Sequence, residues 1–322
     1  MQYELLITEK RTGKLWNAAP CVTTASYTTN RTGSPGKFTF TLLKAGGISF
    51  VEGDVVRFSV DGTLVFYGWV FNKKKDRWGV IDVTCYDSLR YLKANASYRF
   101  YGQTASQILT QIAADFQIPL DEVQDTGYQI PTLMEENQSC LDIIETAIQQ
   151  TLIHTGVIYV LYDSGKGLCL KKTEDMISDT MIGDGSLVTN YTYETDIDQQ
   201  TYNSVKLAKA NEQTGRADVV EVMDSETVGQ WGLLRLYQTV DGETNLAQMQ
   251  EQAQTMLKYH NRQLRSLKVD SLGVLGLRAG MMVLMKIKGL GDINLDQYVL
   301  LEKVTHTFEQ EKHTMTFDTM NI

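Results

Sequence analysis

Several features are scarce in this chain, and each scarcity excludes a class of protein. Only 4 of the 322 residues are proline, which excludes a proline-rich linker architecture. No uninterrupted run reaches the roughly 18 apolar residues of a membrane span, and no membrane partner is expected. The N-terminus also lacks the basic start and apolar run of a cleaved signal peptide. We therefore expect a soluble protein that is not exported by a cleaved signal.

Cysteine is equally scarce, and the four thiols are widely spaced without a Cys-x-x-Cys pair. So few thiols in so long a chain make a disulfide scaffold implausible. We expect reduced, mostly buried side chains in a protein made in the cytoplasm. The four residues are Cys21, Cys85, Cys140 and Cys169.

The length of 322 residues suits two or three domains, and a hydrophobic fraction of 43% is enough for their cores. Charge is unevenly distributed along the chain. The first hundred residues carry 14 Lys and Arg against 8 Asp and Glu, whereas residues 101–200 carry 3 against 16. The acidic middle would repel phosphate, so specific nucleic-acid binding is not expected.

The first ninety or so residues read as short strands. Residues 37–42 alternate polar and apolar side chains, the period of a half-buried strand. Two further apolar runs flank Asp61-Gly62, a strong hairpin signal. Lys73 to Arg77 is interpreted as a basic turn before a strand at 80–86. Short strands without a long helix predict a small barrel or sandwich.

The character changes near Tyr98. Thr104 and Gln107 form a capping-box pattern at the start of a helix, and Ser139 begins a second helix. A hairpin pattern follows at 156–171. These elements predict a compact α+β unit that contains most of the acidic block.

The remaining chain returns to strands, with a turn at 213–215 and one long helix from about Thr244 to Leu264. Two segments share a pattern: a Gly-led strand, a turn, a second strand, a charged turn and a third strand. The first copy begins at Gly53 and the second at Gly280. The likeness predicts two copies of one barrel with an insertion between them.

Residues with catalytic or metal chemistry give only weak patterns. His306 and His313 flank a turn and could face each other beside Glu311, although two solvated turn histidines are the preferred interpretation. The acid pairs Glu135-Glu136 and Asp196/Asp198 lie in polar segments, without the apolar pocket that general acid catalysis needs. No nucleophile elbow appears. We expect no catalytic, cofactor-binding or metal-binding residues and no cofactor.

The order of parts resembles the baseplate hub proteins of contractile phage tails and phage-tail-like bacteriocins, most of all the XkdQ-type hubs of PBSX-like particles. No single sequence segment is diagnostic of this family, but the segments that carry the resemblance together span nearly the whole chain. Some relatives carry a fused wall-degrading domain that is not visible here, so we expect no enzymatic activity. The sequence segments that carry the resemblance are Gly53–Val56, Tyr67–Val70, Asp82–Asp87, Thr104–Leu109, Glu136–Ile144, Tyr159–Asp163, Tyr202–Val205, Trp231–Leu234 and Gly280–Val283.

The resemblance implies an α+β, mainly β fold with two tail-tube-like β-barrels and an inserted small α+β domain. The expected bounds are 1–97 for the first barrel, 98–172 for the acidic insertion and 173–322 for the second barrel with its long helix. It also implies a homotrimer that forms a pseudo-sixfold ring between the hexameric tail tube and the central spike. The expected partners are the tail-tube protein, the spike and other baseplate proteins, in a tail particle assembled in the bacterial cytoplasm.

The basic N-terminal third fits head-to-tail contacts in such a ring, because opposite potentials fix order and register. We predict an inter-subunit contact at Lys73, Lys74, Lys75 and Arg77. Two alternatives remain open, a baseplate-associated peptidoglycan hydrolase and a cell-wall-binding module. A paired acid in an apolar cleft would favour the hydrolase, and an exposed aromatic platform would favour the binding module.

Overall fold

Strands dominate the chain from its first residues. The computed structural model describes residues 1–43, 47–211, 216–240, 244–309 and 311–319. The turn predicted at 213–215 therefore lies outside the described residues. The N-terminal strands are β1 (Tyr3–Thr8), β2 (Leu15–Asn17), β3 (Val22–Asn30), β4 (Lys37–Leu42), β5 (Val55–Val60), β6 (Thr63–Lys75) and β7 (Ile81–Tyr86).

A mixed segment follows a 3-10 turn at Ser88–Lys93. Apolar faces of its two helices, together with Leu89 and Leu92 of the turn, form one buried core. The Thr104 hydroxyl and the Gln107 side chain cap the first helix reciprocally, as the sequence predicts. The elements are β8 (Asn95–Gln103), α1 (Ala105–Asp115), β9 (Leu120–Val123), β10 (Ile130–Ser139), α2 (Cys140–Thr155), β11 (Tyr159–Asp163) and β12 (Leu168–Lys172).

The remaining elements fall into two compact units. One unit is Met1–Thr192 with the described residues from Lys268 onward, and the other is Tyr193–Leu267. The predicted domain bounds at 97/98 and 172/173 both fall inside the larger unit and stay a prediction. The elements are β13 (Ile177–Gly183), β14 (Val188–Asp196), β15 (Ser204–Asn211), β16 (Arg216–Met223), α3 (Ser225–Trp231), β17 (Arg235–Thr239), α4 (Leu246–His260), β18 (Leu264–Leu272), β19 (Met282–Leu290), β20 (Ile293–Glu309) and β21 (Lys312–Thr319).

The larger unit is built on one extended sheet in the order β14-β18-β21-β20-β3-β4-β7-β6-β5-β1-β2, and β19 and β13 extend from β20. Alternate side chains of the N-terminal strands meet in a single core, so the sheet curls around them. Phe38 lies between Phe58 and Phe66, with ring centroids 4.9 Å from each. Phe308 of β20 closes the same core against Phe58. The predicted fold class, α+β and mainly β, is confirmed.

The smaller unit consists of the sheet β16-β15-β17 with α4 packed on it. Its core is formed by Val205, Leu207, Met249 and Ala253. The helix is shorter than the predicted span of Thr244 to Leu264. Asn245 begins it with a capping box, and after His260 the chain enters strand β18. None of the helices in the described residues is both long and apolar enough to cross a membrane.

Candidate functional site

Two three-stranded meanders in the larger unit share one plan. In the first, β6 pairs with β5 along its first part and with β7 along its second part. In the second, β20 does the same with β19 and β21. The register shifts between Val70 and Asn72 in one meander and between Leu301 and Lys303 in the other. A long central strand that changes partners at an irregularity is therefore present twice.

The same hydrogen bonds build the entry to each meander. Gly53 donates its N–H to the carbonyl of Val70 at 2.8 Å, and Gly280 donates to that of Leu301 at 2.7 Å. Val70 and Leu301 each donate back to the residue that follows the glycine, at 2.9 and 3.0 Å. The two glycines have φ of +89° and +88°, which side-chain-bearing residues rarely adopt. The repeat inferred from sequence thus extends to backbone geometry.

The two meanders differ in their flanking strand. In the first, β1 pairs antiparallel with β5, whereas in the second β13 pairs parallel with β19. The duplicated part is therefore the meander together with the strand that precedes it, since β4 pairs antiparallel with β7 and β18 pairs antiparallel with β21.

Antiparallel pairing of β20 with β3 joins the two halves, from Lys303 opposite Asn30 to Glu309 opposite Thr24. The Oγ1 atoms of Thr28 and Thr305 lie 3.0 Å apart across this seam. Residues that alternate with the core positions form one continuous, mostly polar face, here called the hydroxyl face. Its hydroxyl residues, none of them buried, include Thr24, Ser26, Thr28, Thr39, Thr41, Thr84, Thr305, Thr307, Thr314 and Thr316.

Two buried aspartates lie at the end of the first meander. Asp87 accepts the N–H of Gly36 at 2.8 Å with one oxygen and that of Leu89 at 3.2 Å with the other. Burial is the main cause that raises the pKa of Asp87 well above its usual value, and the neighbouring Asp163 adds to it. This carboxyl group therefore holds a bend and caps the 3-10 turn.

Asp163 connects the α+β segment to that turn. One of its oxygens accepts both the N–H of Ser88 at 3.0 Å and the Ser88 hydroxyl, and the other accepts the N–H of Gly165 at 2.6 Å. Arg278, which precedes the second meander, donates to the Asp163 carbonyl at 3.1 Å and stacks 3.9 Å from the ring centroid of Tyr162. We call Asp87, Ser88, Asp163 and Arg278 the polar joint, because it binds both meanders to the α+β segment.

The polar joint borders a cavity of about 240 Å³ whose wall includes Tyr27 and His306. The cavity therefore shows the feature that would favour a hydrolase, a pair of acids, Asp87 and Asp163, in a cleft. All four carboxylate oxygens, however, accept hydrogen bonds from the chain itself. The arrangement stabilises the backbone, and its one sequence signal is the repeated tripeptide Tyr-Asp-Ser at 86–88 and 162–164.

His306 and His313 face each other, but the expectation of solvated turn histidines is wrong. Both are buried, and His306 Nδ1 lies 2.9 Å from His313 Nε2 while His306 Nε2 bonds the Leu277 carbonyl at 2.7 Å. The ring of His313 stacks on Phe308 at 4.4 Å. Burial lowers the pKa of both, that of His313 to about 4 with a contribution from His306. Across the described residues no His, Cys, Asp and Glu cluster suits a metal ion.

Lys73 to Lys75 lie in β6, so the predicted basic turn is placed three residues too early. Because β6 continues its pairing with β7 through Lys75, the turn starts at Asp76. Lys73 Nζ donates to the Phe50 carbonyl at 2.5 Å, which removes it from the free surface. Lys74, Lys75 and Arg77 are exposed.

The sequence pattern singled out the basic residues near this turn and did not single out Trp78 beside them. Its side chain is 73% exposed, and the Arg77 guanidinium lies 4.3 Å from the ring centroid. Tryptophan and arginine are the residues most enriched at energetic centres of protein interfaces. The inter-subunit contact predicted for the basic residues stays a prediction, with Trp78 added to it.

Comparison with solved structures places this fold among phage tail proteins. The 43 kDa tail protein of prophage MuSo2 from Shewanella oneidensis superposes with a TM-score of 0.73 at 15% identity, covering 99% of this chain and 98% of the other. The Escherichia coli c3393 protein is described as a component of the type VI secretion system with structural similarity to T4 tail proteins gp27 and gp5. It gives a TM-score of 0.54 at 12% identity, covering 100% of this chain and 77% of the other.

At the sequence level, the model of the YQBQ-like family matches residues 25–320, and the chain belongs to that family. It is 32% identical over 276 residues to the uncharacterized protein YqbQ of Bacillus subtilis (strain 168), covering 84% of this chain and 82% of the relative. It is also 32% identical over 273 residues to the phage-like element PBSX protein XkdQ of the same organism, with the same coverage of 84% and 82%. The resemblance to XkdQ-type proteins is thus confirmed.

Proposed function

We propose that this chain is a structural baseplate hub of a contractile tail or phage-tail-like bacteriocin. Three copies would form a pseudo-sixfold ring that joins the hexameric tail tube to the central spike and contacts other baseplate proteins in the tail particle. The duplicated meander carries the proposal, because two equivalent elements per chain let threefold symmetry present six similar positions. The relative XkdQ, named for a phage-like element, supports the same context.

The hydroxyl face supplies a wall for the channel of such a ring. It runs from β21 and β20 of the second meander across β3 and β4 to β7 of the first meander. Short hydroxyl side chains are hydrated and offer no apolar patch for a passing chain to adhere to. Charges of both signs lie on this face, with Lys37, Lys268, Lys303 and Lys312 near Asp82, Asp270, Glu309 and Asp318.

We infer that neighbouring chains contact one another through Lys74, Lys75, Arg77 and Trp78. Arg77 stacked on an exposed Trp78 combines an apolar surface with a cation, and the two lysines extend the positive potential along β6. The acidic residues 101–200 of a neighbouring chain provide a surface of opposite charge.

We propose no catalytic role. The acid pair of the polar joint has its oxygens occupied by backbone and Ser88 donors, so neither carboxyl is poised for proton transfer to a substrate. No observation specifically favours a wall-binding module, since the exposed Trp78 stands beside a cation at a strand end without a second exposed tryptophan on β6 or β7.

Light scattering after mixing the chain with the tail-tube and spike proteins of the same particle tests the ring. We expect a complex that contains three copies of the 36.3 kDa chain. Lys74→Glu, Lys75→Glu and Arg77→Glu together should weaken assembly, and raising the salt should weaken the unmodified complex. The matched control Lys166→Glu/Lys258→Glu/Lys288→Glu makes the same change of charge at exposed lysines elsewhere and should assemble normally. A complex with another copy number would overturn the ring, and salt-independent assembly would overturn the contact.

A further inference from the structure

A basic groove lies where the two halves of the sheet meet the 3-10 turn. It has a volume of about 680 Å³ and an edge formed by Lys93 and Arg90 of the turn. Its floor is the hydroxyl face around Thr28 and Thr305, and Lys37 and Lys303 rise from strands β4 and β20. No acidic side chain lines it.

Three of its four cations are free to meet a ligand. Lys37 and Lys303 are exposed, and no described residue forms an ion pair with either of them or with Arg90. Arg90 is oriented by the ring of Phe71, 5.4 Å from its guanidinium. Lys93 is held in place by donating to the Gly33 carbonyl at 2.8 Å. Asp318, opposite Lys303 across the strands, lies outside the groove lining.

The dimensions of the groove fit an extended chain. From Lys303 on β20 to Tyr86 on β7 the groove crosses three strand spacings, roughly 14 Å at about 4.8 Å each. That length holds about four residues of extended polypeptide, whose alternate side chains repeat at roughly 6.7 Å. Two or three carboxylates of such a segment would fall among the four cations.

We propose that this groove binds an extended acidic peptide segment of a partner protein. Carboxylates would pair with Lys37, Lys303 and the planar fork of Arg90, while the threonine hydroxyls of the floor bond the backbone of the segment. The proposal concerns the surface of a single chain and does not depend on the ring.

Nucleic acid fits the groove less well than an acidic peptide. Single-stranded nucleic acid is held by stacking on aromatic faces as well as by charge, and the only aromatic side chain in the groove lining is the half-buried Tyr86.

Fluorescence anisotropy with a labelled hexaglutamate peptide and the full chain tests the proposal at low salt. We expect saturable binding that weakens with salt, and no binding of a hexaglutamine peptide. Lys37→Gln/Lys303→Gln should weaken hexaglutamate binding at least about fivefold, from two lost ion pairs. The control Lys166→Gln/Lys288→Gln removes the same charge from exposed sites outside the groove and should leave binding unchanged.

Three results would overturn the proposal. Equal loss in both double variants would mean that binding follows net charge and needs no groove. Tighter binding of a six-residue oligothymidylate would make the groove a nucleic-acid site. Displacement of hexaglutamate by equimolar inorganic phosphate would reduce it to a site for small anions.

Discussion

The two equivalent glycines permit a matched test of how the second meander meets the α+β segment. Gly53 and Gly280 have the same backbone conformation, with φ of +89° and +88°, but different surroundings. A Cβ at Gly53 would meet nothing within 4 Å, whereas at Gly280 it would lie 2.5 Å from a methyl carbon of Val160 on β11. Replacing each glycine by alanine therefore imposes the same backbone strain at both positions. The difference in stability between the two variants then measures the steric clash at Gly280 alone.

The magnitudes follow from these two contributions. An alanine held at positive φ costs about 1–2 kcal/mol, so we expect Gly53→Ala to lower the free energy of unfolding by that amount. Gly280→Ala adds an overpacking penalty of about 1–3 kcal/mol, because Val160 is only 1% exposed and its neighbours leave little room to move. Val160→Ala in the Gly280→Ala background should recover that second part.

Urea unfolding of the three single variants and of the double variants Gly280→Ala/Val160→Ala and Gly53→Ala/Val160→Ala, followed by tryptophan fluorescence, measures the coupling in two double-mutant cycles. We expect Gly280→Ala and Val160→Ala to be coupled favourably by about 1–3 kcal/mol, and Gly53→Ala and Val160→Ala not to be coupled. Equal destabilisation by the two glycine replacements, without recovery in the double variant, would refute the close approach of β11 to the second meander.

Three further predictions concern the buried polar groups and the basic groove. Asp163→Asn should destabilise the larger unit by about 1–3 kcal/mol, because Ser88 and Gly165 lose a carboxylate acceptor, and thermal unfolding would show it against the exposed control Asp179→Asn. The free energy of unfolding should fall by about 2 kcal/mol as pH decreases from about 6.5 to about 4, because His306 and His313 take up protons in the unfolded state but not while buried. His313→Gln should make the free energy of unfolding depend less on pH. An unchanged pH dependence in that variant would contradict the lowered pKa of His313. Asp87→Asn should be tolerated better at neutral pH than Asp163→Asn. Burial raises the pKa of Asp87, so the folded state binds its proton more tightly than the unfolded state, and this contribution to stability is lost as pH rises through the folded pKa. The reverse order of the two variants in chemical denaturation would refute the prediction.

Local sequence patterns were sufficient to predict the strands that have a clear polar–apolar alternation or a characteristic turn. The strands at 37–42 and 55–60 agree with β4 and β5 because their alternation is clean and an Asp-Gly turn follows the second. Strand β3 gave no such signal, since threonine and serine occupy both its core-facing and its exposed positions. Thr29 is buried, and its hydroxyl accepts the N–H of Ala279, a contact across 250 residues that no local pattern reveals.

The polar joint and the histidine pair were beyond sequence reasoning for a different reason. Asp87 and Asp163 each stand in a Tyr-Asp-Ser tripeptide, but nothing in their spacing shows that the second turn lies against Ser88 of the first. The sequence allowed His306 and His313 to face each other but favoured solvated turn residues, because their burial depends on the segment before the second meander, where the Leu277 carbonyl accepts from the imidazole. Burial of a polar group is a property of distant segments, which periodicity cannot report.

The seam between β20 and β3 limits how the two meanders can move relative to each other. Its seven residue pairs fix a register in which Val304, His306 and Phe308 face the core and Thr305 and Thr307 face outward. A slip by one residue would bury the threonines and expose Phe308, so the register is strongly specified. At the end of the seam, Arg31 donates its Nε–H to both carboxylate oxygens of Glu302, each at 2.9 Å. A duplicated element fused in this way has one defined angle between its copies, which is the property that a ring of alternating copies requires of each chain.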